Sequence, residues 1–269
     1  MSLFFNKQTQ YKIAILGAGK VAGHLAPALE SAGHQIVAIY SRRAKQAERI
    51  SRQLYEAQEV HDLDFSSSQA QVFILTVSDD AIQPVSAELR LPPGSLLLHT
   101  SGARSIKALE NAKATYHGVL YPLQTFSEGK AINFQQVPIL IEANNPTGLH
   151  KVKSLANSLS DHVREVDSAQ RQLLHTAAVF ACNFTNHMLY LAKEMVEKES
   201  LPFELLKPLI HETLDKAMQG NPFEAQTGPA VRNDQQTMEL HLQLLKERNP
   251  SLEAIYQMIS DSIQQHHRS

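Results

Sequence analysis

The sequence predicts an α/β fold: a doubly wound parallel sheet of Rossmann type, followed by an all-α C-terminal domain. Three observations carry this. Up to about Val166, short apolar or β-branched runs alternate with helical patterns of roughly 10–15 residues, as in successive βαβ units. A glycine-rich turn, Gly17-Ala18-Gly19-Lys20-Val21-Ala22-Gly23, directly follows the first apolar run, Ile13–Leu16. Beyond Asp167 the strand signals stop and only helical patterns follow. The expected domains are residues 1–166, dinucleotide-binding, and residues 167–269, helical, for substrate and dimerisation.

The bulk numbers set limits. With 269 residues, 43% of them hydrophobic and 19% charged, the chain can build a sizeable core. A formal net charge of −2 gives no reason to expect nucleic acid or a membrane surface as partner. Cys182 is the only cysteine, so no intrachain disulfide is possible, and a cytoplasmic location is expected. The N-terminal M-S-L-F-F-N-K-Q-T-Q lacks the apolar stretch of a signal peptide. No run approaches the roughly 18 apolar residues of a membrane span.

Within the first turn, Gly17 permits the bend and Gly19 lets backbone N–H groups approach a pyrophosphate. Ala22 and Gly23 allow close helix–sheet packing, and the helix N-terminus presents free donors to an anion. Gly17, Ala18, Gly19, Lys20 and Val21 are therefore assigned to the cofactor. Val21–Ala32 reads as a helix closed by Gly33, with Pro27 expected either to kink it or to delay its start. Gln35–Tyr40 is the second strand. An NAD site usually carries Asp or Glu about 20 residues past the glycines. Here the strand ends in Ser41-Arg42-Arg43, with no carboxylate, which favours the 2′-phosphate of NADP(H) over a merely solvated basic turn.

Ala44–Tyr55 is a helix, Glu59–Leu63 a short strand, and Gln71–Val77 a strand running into Ser78-Asp79-Asp80. Val77, Ser78 and Asp79 lie at the carboxyl edge where such sheets bind ligands, though Asp79 and Asp80 serve equally as caps for a helix over Ala81–Leu89. Ser95–His99 is a strand opening into Thr100-Ser101-Gly102. Thr100 and Ser101 join the cofactor set, Ser101 being also a candidate N-cap for a helix over Ser105–Lys113. His99 is either a hydrogen-bonded core histidine or a proton carrier. Thr115–Leu120 continues into Tyr121–Phe126, an apolar loop suited to closing over a nicotinamide, with Tyr121 and Gln124 as substrate contacts. Val137–Ala143, Pro146–Leu159 and His162–Val166 complete the unit as strand, helix and strand.

Ser168–Lys198, Leu201–Gly220, Thr237–Arg248 and Leu252–Gln264 read as helices, and Gln264–Arg268 as a frayed polar tail. So few residues cannot bury every apolar helix face, which predicts a homodimer. On the first helix, His175, Asn183 and His187 fall on one broad face, since four-residue steps drift by only about 40°. Asn183 would orient a substrate across the interdomain cleft, and His175 or His187 would move the proton that accompanies hydride transfer. The alternative is that all three bond neighbouring backbone. In the loop Gln226–Asp234, Arg232 is placed to grip an anion with Asp234 holding it, unless the loop is an ordinary capping turn. No metal site is expected, since His266-His267 is not a ligand spacing, and no G-x-S-x-G elbow is present.

Together, G-A-G-K-V-A-G-H-L-A, S-R after the second strand, V-S-D-D-A-I, H-T-S-G, Y-P-L-Q-T-F, H-T-A-A-V-F-A-C-N-F and T-G-P-A-V-R-N-D resemble a bacterial family. Its members join a Rossmann-like domain to a helical C-terminal domain of unassigned function and are described as NADP oxidoreductases, akin to deazaflavin-coenzyme-dependent NADP reductases. More remotely the layout is similar to pyrroline-5-carboxylate reductase, ketopantoate reductase and the β-hydroxyacid dehydrogenases. That resemblance implies an interdomain active site and dimerisation through helices. The β-hydroxyacid dehydrogenases carry a catalytic Lys four residues before the Asn on this helix. Val179 stands there, so their mechanism does not transfer. The expectation is an NADP(H)-dependent oxidoreductase acting on a small anionic metabolite, with a non-catalytic dinucleotide sensor or scaffold as the other reading.

Overall fold

The structure, a computed structural model, describes residues 9–267. Residues 1–8, on which most of the N-terminal reading rests, and Arg268 of the expected tail lie outside the described residues.

The described strands are β1 (Lys12–Leu16), β2 (Gln35–Tyr40), β3 (Gln58–Val60), β4 (Val72–Leu75), β5 (Leu96–His99), β6 (Tyr116–Pro122), β7 (Ile139–Ala143) and β8 (Val163–Glu165). They form one sheet in the order β3-β2-β1-β4-β5-β6-β7-β8. All pairs are parallel except β6–β7, where Pro122 lies opposite Ile139. A parallel partner needs a crossover, usually helical. The link from β6 to β7 holds only a short 3-10 turn, Phe134–Gln136, so the chain returns alongside the strand it has just left.

Every residue of β4 and β5 is buried, as expected of strands covered on both faces. On one face lies α1 (Lys20–Ser31), which buries Ala22, Leu25, Ala26 and Leu29, one helical stripe. It lies there between α2 (Ala44–Ser51) and α4 (Pro146–Leu159); α3 (Asp79–Glu88) covers the opposite face. Each such Leu or Ile contributes roughly 1.5–3 kcal/mol by leaving water. Pro27 sits inside α1 without delaying its start. The helix expected over Ser105–Lys113 is only a 3-10 stretch, Ile106–Leu109, capped by Ser105. Only Leu109 and Ala112 of that segment are buried, with Ala108 packed beside them, too little apolar surface to hold a longer helix.

After β8 follow α5 (Ser168–Ala178), α6 (Thr185–Lys198), α7 (Lys207–Gln219), α8 (Gln235–Arg248) and α9 (Glu253–His267). The uninterrupted helix expected over Ser168–Lys198 is broken by a π-helical stretch, Val179–Phe184. The expected frayed tail is instead helical through His267. The chain divides into two compact units, residues 1–181 and 182–269. Hence α5 belongs with the sheet. Within the second unit α6 and α7 bury no residue. Among the described residues no helix is long and apolar enough to cross a membrane.

Candidate functional site

The carboxyl edge of the sheet gathers most of the residues of interest in the first unit. Gly17 has φ +116°, and a Cβ there would lie 2.7 Å from the Thr76 carbonyl carbon and oxygen. Only glycine fits. Its N–H donates to Tyr40 O at 2.8 Å, and Thr76 Oγ1 donates to Gly17 O at 3.0 Å, so β1, β2 and β4 all fix the turn. Ala18 is buried, and Gly19 is the N-cap of α1 without any side-chain cap. The first turn, opened by Lys20 and Val21, holds no acidic residue. Its uncapped N–H groups and dipole are therefore free to meet an anion, which is what a dinucleotide pyrophosphate requires. The residues present fit that group.

At the tip of β2, Ser41 Oγ accepts from Arg43 N at 3.2 Å, while Arg42 and Arg43 are exposed. No carboxylate occupies the tip. Past β4, half-buried Val77 leads to Ser78, the N-cap of α3, whose side chain makes no cap bond. Asp79 and Asp80 lie inside the first turn of α3, where they complement the dipole rather than cap it, and Asp80 pairs with Arg104. Thr100 Oγ1 donates to Leu75 O at 3.2 Å. Ser101 is buried and its hydroxyl accepts from Ala103 N and Arg104 N at 3.1 and 3.0 Å. It caps this tight turn, not the 3-10 helix that follows.

His99 is enclosed in the sheet. It is fully buried, its Nδ1 accepts from Ser101 N at 3.1 Å, and its Nε2 has no hydrogen-bond partner. Burial, and then the positive charge of Arg171, push its pKa down to about 3. The imidazole is thereby held in its neutral form.

His175, on α5, is placed differently. Its ring is half-buried, and Nδ1 lies 2.9 Å from Tyr121 Oη at the end of β6, with the two rings edge to face. Burial raises the Tyr121 pKa, the nearby Asp79 charge raises it further, and Arg171 opposes both, so the phenol holds its proton. Gly102 lies beneath the pair. A Cβ there would come within 2.6 Å of His175 Nδ1 and 2.7 Å of Tyr121 Cζ. The H-T-S-G turn thus supports the Tyr121–His175 pair as well as the rim. Gln124 is exposed, and its Oε1 accepts from Thr125 N at 2.8 Å. The segment beyond it is tied back to α1, with His24 Nε2 3.0 Å from Ser127 O.

The shared face expected for His175, Asn183 and His187 does not follow, because the π-helical stretch interrupts the period on which it was counted. In the second unit Asn183 is exposed, and His187, also exposed, stacks on Tyr190 with centroids 6.0 Å apart. Arg232 is exposed too. The Asp234 carboxylate caps α8, accepting from Thr237 N and Oγ1 at 3.1 and 2.8 Å, and those bonds first, with the Arg232 charge after them, lower its pKa. Arg171 carries no expectation from the sequence, yet it is the largest fully buried side chain.

Residues 5–124 match a family model described as a Rossmann-like domain, and residues 137–263 match one described as a domain of unknown function, DUF2520. Among solved structures, a Bacteroides fragilis protein to which an NADP oxidoreductase function has been ascribed is 36% identical. That match covers 95% of this chain and 98% of the other, with a TM-score of 0.84. A Streptomyces aurantiacus imine reductase shares the fold at 14% identity, covering 94% and 95% of the two chains, with a TM-score of 0.68. An Aspergillus terreus reductive aminase, solved with NADPH and ethyl-5-oxohexanoate, does so at 16%, covering 97% and 94%, with a TM-score of 0.64. No curated protein matches the chain.

Proposed function

Because the chain belongs to the family that joins a Rossmann-like domain to a DUF2520 domain, we propose that it is an NADP(H)-dependent oxidoreductase. Its substrate is a small molecule with a carbonyl or imine carbon. The observation that carries this reading is the Tyr121–His175 pair, 2.9 Å apart, on the same sheet edge as the uncapped glycine turn. An anion-binding helix start and a proton-holding phenol on one edge are the two protein parts that hydride transfer to a polar double bond needs.

Reduced nicotinamide, when bound, supplies the hydride. Gly17, Gly19 and the first N–H groups of α1 would hold the pyrophosphate, and Arg42 and Arg43 would take the 2′-phosphate. Tyr121 Oη would give its proton to the oxygen or nitrogen of the reduced double bond. His175, with Nδ1 within hydrogen-bond reach, would pass a proton to the phenolate, its half-exposed ring taking one from water. The apolar helix faces of the second unit support a homodimer as the working form.

The test is fluorescence titration with NADPH and NADH on the wild type and on Arg42→Ala/Arg43→Ala. The wild type should prefer NADPH, and the double variant should lose roughly tenfold to a hundredfold in NADPH affinity, the worth of charge-assisted hydrogen bonds. Binding of neither nucleotide would end the oxidoreductase reading.

A further inference from the structure

Arg171 is fully buried and ion-paired to Glu142, whose side chain is 15% exposed. Such a pair is a poor source of stability, because desolvating both charges consumes most of their attraction. Its geometry shows what it holds. The guanidinium also donates to Arg104 O at 2.6 Å and Ser168 Oγ at 3.2 Å. Ser168 Oγ in turn donates to the Glu142 carboxylate at 2.9 Å and accepts from Ile106 N at 3.1 Å. The next residue, Gln172, donates to Ala103 O at 2.8 Å. The first turns of α5 are thereby fastened both to β7 and to the 103–106 loop. One helical turn further on, His175 leaves the same face of α5 and meets Tyr121.

We propose that the Arg171–Glu142–Ser168 cluster is a positioning latch for the Tyr121–His175 pair. It fixes the rotation of α5, so that His175 Nδ1 stays within hydrogen-bond reach of the Tyr121 phenol. Its catalytic consequence rests on the proton-transfer reading above, but its geometry does not. The fork matters more than the charge: a guanidinium reaches Glu142, Ser168 and the Arg104 carbonyl at once, and a lysine ammonium cannot.

The test reads the pair directly. Protein labelled with ¹⁵N-histidine gives a His175 Nδ1 resonance, assigned with His175→Gln, and Tyr121→Phe defines its position without the phenol. In folded Arg171→Met and Glu142→Gln the resonance should move to the Tyr121→Phe position, and Arg171→Lys should not restore it. A wild-type resonance in folded Arg171→Met would overturn the latch. Full restoration by lysine would also overturn it, leaving a purely electrostatic role. Should Arg171→Met not fold, Ser168→Ala removes only the bridging hydroxyl, and an unmoved resonance there would overturn the latch equally. Parallel NADPH titration keeps the two questions apart. A wild type that binds no nucleotide defeats the oxidoreductase reading while the His175 signal still reports on the latch.

Discussion

The sealed imidazole of His99 couples the stability of the sheet to pH. Burial, then the Arg171 charge, holds its folded pKa down at about 3 against an ordinary 6.5. Because the folded value is the lower one, its contribution to stability is complete above 6.5 and is lost as pH falls from there toward 3. His34, also lowered by burial, acts in the same direction. Thermal melts from about pH 7.5 down to about pH 5 should therefore show falling stability, with a shallower slope in His99→Asn. Parallel slopes in the two proteins would refute this. At this scale the sequence is partly legible. The glycines of the turn and the polar residues of the rim follow from spacing alone. Arg171 does not, because nothing local marks an arginine as buried; its partner Glu142 lies on another element. Gly102 is similar, since its need for glycine comes from two rings brought in by β6 and α5.

Elements are set by local signals, and α5 shows how such a signal reaches the site. Asp167 accepts from Gln170 N at 2.8 Å while Gln170 Oε1 accepts from Asp167 N at 3.1 Å, a reciprocal capping box just ahead of Ser168 and Arg171. Asp167→Ala should cost about 1 kcal/mol, seen as a fall of roughly 2–4 °C in melting temperature. NADPH affinity should not change, since the Arg171 contacts still fasten the helix. A melting temperature equal to that of the wild type would mean the box adds nothing. β1, β2, β4, β5 and β7 are readable for the same reason, each being a mainly apolar run, and α4 begins with a plain Asn145-Pro146 cap signal; β3 (Gln58–Val60) and β8 (Val163–Glu165) are short, mostly polar edge strands. The π-helical stretch is not, because Val179–Phe184 carries no Gly or Pro to mark it. The reversal of β7 depends on a connection without a crossover helix, a property of the whole loop rather than of the strand.

For the molecule as a whole the open quantity is the apolar surface of the second unit. α6 and α7 bury nothing, and Leu205, Leu209 and Met218 are 66, 65 and 85% exposed. Leu201, Leu214, Leu240 and Leu244 are exposed as well. Monomeric proteins rarely leave a contiguous apolar patch much above a few hundred Å² in water. Helices this short also depend on packing more than on propensity. A second copy offers the same faces and satisfies both at once through a self-complementary contact, the commonest form of assembly. Sedimentation should therefore find a dimer whose melting temperature rises with protein concentration. Leu209→Asp with Leu214→Asp should shift it toward monomer and lower its stability. The sheet unit owes its core to its own strands and helices, so nucleotide affinity should survive the same change. A wild type that sediments as a monomer at every concentration would mean these faces are covered by something other than a second copy.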